Sequence, residues 1–381
     1  MGGANRPSRS EWLSAPAEIP RWADVALVPA VSVGAAFLVA GLVVIGIGES
    51  PLTATRLLIQ GSLGSGEGLG FTLFYATNFI FTGLAVAVAY HAGLFNIGAE
   101  GQAMLGGLGA ALACLSLDVL PGLLLVPLGI LGAALLSAAW AFVPGYLQAK
   151  RGSHIVITTI MFNWLASVLM VYLLVNILRV PNSMNPETRA FPAQAQIPFM
   201  HDALAVFGVA IPKSQLNLSL VLALAAAVGV WLLIYRSRLG YAIRVVGQNP
   251  SAAIYAGISP ARMTMVAMAL SGALAGGLAV NELMGYQHRL LLEFTAGYGF
   301  VGIAVALMGR AHPAGIVLAS LLFGMLYQGG AELAFEQPAI TRDMVVVIGG
   351  VVVLFAGALD GLFRRLVAAL LIRSRLPAVA S

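Results

Sequence analysis

The stretch Tyr90-His-Ala-Gly-Leu-Phe-Asn-Ile-Gly-Ala-Glu-Gly-Gln-Ala-Met-Leu-Gly-Gly107 decides how this chain is read. It lies between two apolar runs, each long enough to cross a bilayer. Inside it His91, Asn96, Glu100 and Gln102 sit among Gly93, Gly98, Gly101, Gly106 and Gly107. A helix at membrane depth keeps its backbone hydrogen bonds internal, and glycines with polar side chains interrupt that arrangement. Such a break is tolerated only where the chain is buried in protein or faces a watery cavity. An ionisable residue at this depth is costly, which marks Glu100 as a functional candidate. The competing reading is a re-entrant turn packed through its glycines, with Glu100 capping a helix N-terminus. Either reading is compatible with lining a pathway.

Composition sets the class. Of 381 residues, 60% are hydrophobic and 9% charged, and the mean hydropathy is +0.93. Soluble domains carry about 25% charged residues, so this composition belongs to an all-α integral membrane protein. The longest polar connections run to roughly 40 residues, too short for a catalytic domain beside the membrane part. The net charge of +5 encodes orientation in such a chain and does not point to nucleic acid. The single cysteine, Cys114, lies in an apolar run and reads as a small buried hydrophobe. The apolar run from Val25 to about Ile47 is too long for the core of a cleaved signal and reads as a first span.

Apolar runs fall at 25–48, 70–90, 93–117, 122–147, 154–178, 217–235, 263–284, 297–310, 312–333 and 340–362. A span needs roughly 20 residues, so about ten transmembrane helices are expected. Interruptions are expected near 91–107 and 297–313. With the N-terminus inside, the inner face receives Arg6, Arg9, Arg21, Lys150, Arg151, Arg236, Arg238, Arg244, Arg262, Arg310, Arg364, Arg365, Arg373 and Arg375. The outer face receives Arg56, Arg179, Arg189, Lys213, Arg289 and Arg342. Fourteen against six favours ten spans with both ends cytoplasmic. Residues 1–24 and 366–381 are then cytoplasmic tails around a transmembrane domain at 25–365.

The two longest connections face opposite sides in that scheme. Residues 179–216 form an external cap, with Pro181, Pro186, Pro192, Pro198 and Pro212 disfavouring a further helix. Residues 236–262 face the cytoplasm. There Asn249 is a plausible N-cap, Pro250 suits the first helical position, and Gly257 can end a short helix. A short helix on a basic loop suits docking to another protein, through a small face carrying Ala252, Ala253 and Ala256. One internal echo stands out: Phe81-Thr-Gly-Leu-Ala-Val-Ala87 recurs as Phe300-Val-Gly-Ile-Ala-Val-Ala306.

No phosphate-binding loop and no zinc-ligand spacing occurs, so the sequence gives no reason to expect an enzyme, a metal or a cofactor. Within the spans, Phe74, Asn78, Phe81 and Thr82 share one helical face, where Asn78 can donate and accept and a ring can stack a planar ligand. Thr159, Asn163 and Ser167 make a second polar stripe. Both stripes also suit simple helix packing with a hydrogen-bond staple. Glu282, near Tyr286 and His288, reads as an interfacial carboxylate. With Glu100 the one clear intramembrane acid, little in the spans would drive transport, so the energy is expected from a partner.

Gly93-Leu-Phe-Asn-Ile-Gly-Ala-Glu-Gly-Gln102 resembles the signature of ATP-binding-cassette importer permeases of the branched-chain amino acid and simple-sugar superfamily, and looks nearest the nucleoside-type branch. Ile157-Thr-Thr-Ile-Met-Phe-Asn163 and Val246-Gly-Gln-Asn-Pro-Ser-Ala-Ala-Ile-Tyr-Ala-Gly257 look like two further blocks of the family, in the same order. The resemblance covers about residues 25–365. It implies a bacterial cytoplasmic-membrane permease that pairs with a second, often different, permease chain. Two cytoplasmic ATPase subunits and an external solute-binding protein complete the assembly. The implied cargo is a nucleoside or related purine compound, with ribose-like sugars or branched-chain amino acids as alternatives and an ATPase-independent carrier as a more distant one. Phe74, Asn78, Asn96, Glu100, Gln102, Thr159 and Asn163 are the expected pathway residues. Gly247, Asn249, Pro250, Ala252, Ala253, Tyr255, Ala256 and Gly257 match the loop that contacts the ATPase, although Gln248 stands where many relatives carry another polar or basic residue.

Overall fold

Several helices in this chain start where a short polar side chain satisfies one of the first free backbone N–H groups. In the computed structural model, which describes residues 27–337 with Pro20 and a few single positions after 346, this device recurs. Ser65 Oγ accepts from Gly68 N at 2.9 Å, Ser237 Oγ from Gly240 N at 2.9 Å and Asn249 Oδ1 from Ala252 N at 3.0 Å. Such caps contribute about 1 kcal/mol each. Proline follows the cap directly at Pro250, Pro260 and Pro313, where its missing N–H costs nothing.

The chain divides into two units. The first, Met1–Pro51 with Val346–Ser381, contains α1 (Val28–Gly46). The second, Leu52–Val345, contains nearly everything else. Its helices are α2 (Pro51–Leu63), α3 (Gly66–His91), α4 (Ala99–Ser116), α5 (Gly122–Arg151), α6 (Ile155–Asn176), the short α7 (Met200–Ala205) and α8 (Ser219–Trp231). There follow α9 (Arg238–Gln248), α10 (Pro250–Tyr255), α11 (Pro260–Ala279), α12 (Tyr298–Met308) and α13 (Pro313–Glu336). A π-helical turn extends α8 over Leu232–Arg236 and another extends α11 over Val280–Gln287. No strand forms among the described residues.

Among the described residues, six helices are long and apolar enough to cross a membrane: Gly66–His91, Gly122–Arg151, Ile155–Asn176, Ser219–Arg236, Pro260–Gln287 and Pro313–Glu336. Six of the ten expected spans are thus clear among the described residues. The run at 93–117 divides into a turn at 92–98 and α4, whose first turn holds Glu100 and Gln102. The run at 297–310 yields α12, 11 residues long, and at 1.5 Å per residue it reaches about 16 Å, half a bilayer core. The run at 340–362 lies outside the described residues. The helix α2, conversely, was not expected.

α3 is the centre of the larger unit, packed by α11, α12 and α13. Its residues from Thr77 to Ala89 are all buried. This explains why it is apolar all round rather than amphipathic. The two copies of the internal echo meet here. A Cβ on Gly83 would lie 2.9 Å from Val305, and one on Gly302 would strike Thr82. Residues 179–216 form an ordered cap. Phe191 N donates to His288 O at 2.7 Å and Ile197 N to Met284 O at 2.8 Å, which fastens the cap to the π turn after α11. Arg289 pairs with Glu187 at 2.9 Å in the same region. Burial favours the neutral form of His288 and lowers its pKa, with Arg289 acting the same way and the Met284 backbone bond opposing.

Candidate functional site

The turn at 92–98 interrupts the helical ladder between α3 and α4, and Gly93 allows it by adopting φ of +74°. Asn96, fully buried, is its hub. Its Nδ2 donates to Gln102 Oε1 at 3.0 Å and to Ser271 Oγ of α11 at 2.8 Å. Its Oδ1 accepts from Gly98 N at 2.8 Å and from Gln102 Nε2 at 3.1 Å. From α6, Asn163 Nδ2 donates to Ile97 O at 2.9 Å while its Oδ1 accepts from Gly101 N at 2.9 Å. Thr159 Oγ1 accepts from Ile97 N at 3.3 Å. Asn96, Gln102, Thr159 and Asn163 are thus brought together, with their polar atoms directed at protein partners. They pin the turn to α6 and α11.

Glu100 points the other way, to the start of α12. Its Oε1 accepts from Thr295 Oγ1 at 2.5 Å and Gly297 N at 3.0 Å, and its Oε2 from Gly299 N at 2.8 Å. A helix N-terminus offers free N–H groups and the positive end of a dipole, both of which suit a carboxylate. Glu100 therefore caps α12 from a different helix. That links the first interrupted segment to the second.

Phe74 and Asn78 lie apart from this hub. Asn78 Nδ2 donates to Glu282 Oε1 at 2.6 Å, and Asn78 Oδ1 accepts from Asn281 Nδ2 at 2.8 Å. Asn217 Nδ2 donates to Asn281 Oδ1 at 3.0 Å. Glu282 is only 4% exposed, so it is a buried partner of α3 and not the interfacial residue that the sequence suggested. Phe74 lies edge-on to Tyr286 at 5.6 Å, and Phe81 packs on Gly277, so both rings contact protein. Sequence reasoning missed Asn217, Ser271, Asn281 and Thr295. The tandem Asn281-Glu282 inside an apolar run was a usable signal. Ser271 and Thr295 carry none, because their partners lie far away in the chain. Among the described residues no three His, Cys, Asp or Glu side chains converge as metal ligands.

The remaining expected residues lie on α9 and α10. Asn249 caps α10, Pro250 opens it, and Gly257 closes it at φ of +74°, its N–H bonded to Ile254 O at 2.9 Å. Ala252 and Ala256 are exposed, as are Ile254 and Tyr255, the latter at 94%. Ala253 is fully buried against the chain itself, so it cannot belong to the free face with Ala252 and Ala256. A Cβ on Gly247 would run into the carbonyl oxygen of His91, with Gly93 N just 2.8 Å away. The loop bearing α10 therefore rests backbone to backbone on the 92–98 turn. Exposed helix, close glycine contact, pinned turn and capped α12 thus follow one another in an unbroken series of contacts.

Residues 68–357 match the family described as "Branched-chain amino acid transport system / permease component". A glucose ABC transporter permease of Haloferax volcanii is 34% identical, covering 88% of each chain. A nucleoside ABC transporter permease of Lactococcus lactis is 32% identical over 86% of this chain and 90% of its own. A guanosine ABC transporter permease of Bacillus subtilis is 32% identical over 87% of this chain and 93% of its own. Both bacteria also have a second such permease, 28% identical to this chain.

Proposed function

The chain belongs to the family of branched-chain amino acid transport permease components, and from that premise we propose that it is the permease of an ATP-driven importer that moves nucleosides or related purine compounds inward. It is a multi-pass membrane protein and a transport subunit; ATP hydrolysis is assigned to separate cytoplasmic subunits. The observation that carries the reading is the near full-length similarity to permeases named for nucleosides and guanosine. The paired permeases in those bacteria support a second, different permease chain as partner. An external solute-binding protein, a bacterial cytoplasmic membrane and ten spans with both ends inside complete the proposal. The glucose-named relative supports a second reading, a sugar permease.

In this reading α10 docks on the ATPase through Ala252, Ile254, Tyr255 and Ala256, and Gly247 passes the movement to the 92–98 turn. Asn96, Gln102, Thr159 and Asn163 shape that turn, and Glu100 hands the movement on to α12. Two sites that bias one two-state element are coupled in this manner. Proteoliposomes carrying the permease pair, the ATPases and the binding protein test the proposal. ATP-dependent uptake of labelled guanosine, competed by other nucleosides and not by glucose, is expected. Uptake of glucose alone would select the second reading, and uptake without ATP would overturn both.

A further inference from the structure

A cleft of about 550 Å³ opens between the end of α3 and α9. Its walls include Tyr90, Phe95 and Tyr235, with His91, Arg244 and Gln248, and none of its lining residues is acidic. The whole segment 236–262 contains Arg236, Arg238, Arg244 and Arg262 and no carboxylate. Orientation in the membrane is reason enough for exposed arginines on this loop. It does not account for Arg244. That side chain is half-buried, with its guanidinium carbon 5.6 Å from the centre of the Tyr235 ring. Its Nε is buried and has no acceptor. A buried charged donor without an acceptor is costly unless something supplies one.

His91 cannot share the task equally, because its Nε2 lies 3.0 Å from Ala311 O. Arg244 is therefore the cation that faces an entering group. The complementary group is a carboxylate, which a guanidinium binds through two parallel N–H bonds, and the aromatic walls suit its aliphatic stem. Gln248 in the wall is followed at once by Asn249, the cap of the exposed α10, so cleft and helix form one continuous surface.

We propose that this cleft receives an aspartate or glutamate side chain of the cytoplasmic ATPase subunit, paired with Arg244. The inference rests on the reading of the chain as an ATP-driven permease and adds to it the chemistry of the contact. The pair would give the ATPase a grip on α9 itself. A pull on α9 reaches the 92–98 turn directly, because Gly247 of α9 lies against His91 and Gly93.

The test uses the complete permease pair in nanodiscs of phosphatidylcholine alone, with the ATPase subunit purified separately. Arg244→Glu is expected to weaken ATPase binding by about tenfold or more, and Arg244→Lys, which keeps the charge but loses the two-pronged contact, to fall between it and wild type. Melting of the permease serves as the fold control. A photo-crosslinking residue at Gln248, in the otherwise unaltered complex, is expected to join the ATPase chain next to an acidic residue; this readout stands even where Arg244→Glu fails to fold. Wild-type binding by a folded Arg244→Glu overturns the inference. So does a defect that appears only in anionic-lipid membranes, or a crosslinker that captures lipid alone, since either makes the cleft a headgroup site. A wild-type permease that binds no ATPase at all overturns the reading beneath it instead.

Discussion

Glu100 places a carboxylate inside a membrane-embedded bundle and matches it with three donors at the start of α12: the Thr295 hydroxyl and the N–H groups of Gly297 and Gly299. Removing it leaves those donors buried and unmatched, at about 1–3 kcal/mol each where water cannot reach them. Glu100→Ala is expected to lower the melting temperature in detergent most. Glu100→Gln should fall between it and wild type, because its amide nitrogen turns a donor toward the Gly299 N–H. Wild-type melting of Glu100→Ala would contradict the cap. Transport per folded molecule, measured in parallel, reports a pathway role if it falls further than folding does. Glu100 was visible in the sequence as an acid among glycines. Its partners were not, because a bond between residues 195 positions apart leaves no local pattern.

At the scale of elements, the sequence was most readable where a helix begins or ends. Asn249, Pro250 and Gly257 mark α10 unambiguously, and the structure has it at Pro250–Tyr255. Which way its residues face was not readable. Six residues make less than two turns, so apolar periodicity has nothing to repeat, and three alanines look alike whether buried or exposed. The structure resolves the face: Ala253 is buried while Tyr255 is 94% exposed. The two positions should separate folding from docking. Tyr255→Ala is expected to change permease stability by less than about 0.5 kcal/mol, as surface substitutions do. It should weaken ATPase association by about ten- to thirtyfold if Tyr255 is an anchor of the contact. Ala253→Glu, which forces a charge into the chain's own packing, should destabilise the permease itself. Equal ATPase affinity for wild type and Tyr255→Ala would remove this helix from the proposed contact.

For the whole molecule, composition alone established a helical membrane protein, while the number of spans proved harder to read. Hydropathy counts apolar residues and cannot tell a span from an apolar helix of half the length, which is what α12 is at 11 residues. It also merges a pinned turn with the helix that follows it, as at 92–98. Orientation can be tested without settling the total. Residues 179–216 and 236–262 are joined by Ser219–Arg236, one of the six helices long and apolar enough to cross. If that helix crosses, the two connections lie on opposite sides whatever the other helices do. The four arginines at 236, 238, 244 and 262 then place the second connection in the cytoplasm. Lys213 and Ser251 are both exposed, so cysteines there should be reachable by a reagent that cannot cross the membrane. Lys213→Cys should label in intact cells and Ser251→Cys only in inverted vesicles. Labelling of both from one side would mean that Ser219–Arg236 does not span, and the assignment of α10 to a cytoplasmic ATPase would fall with it.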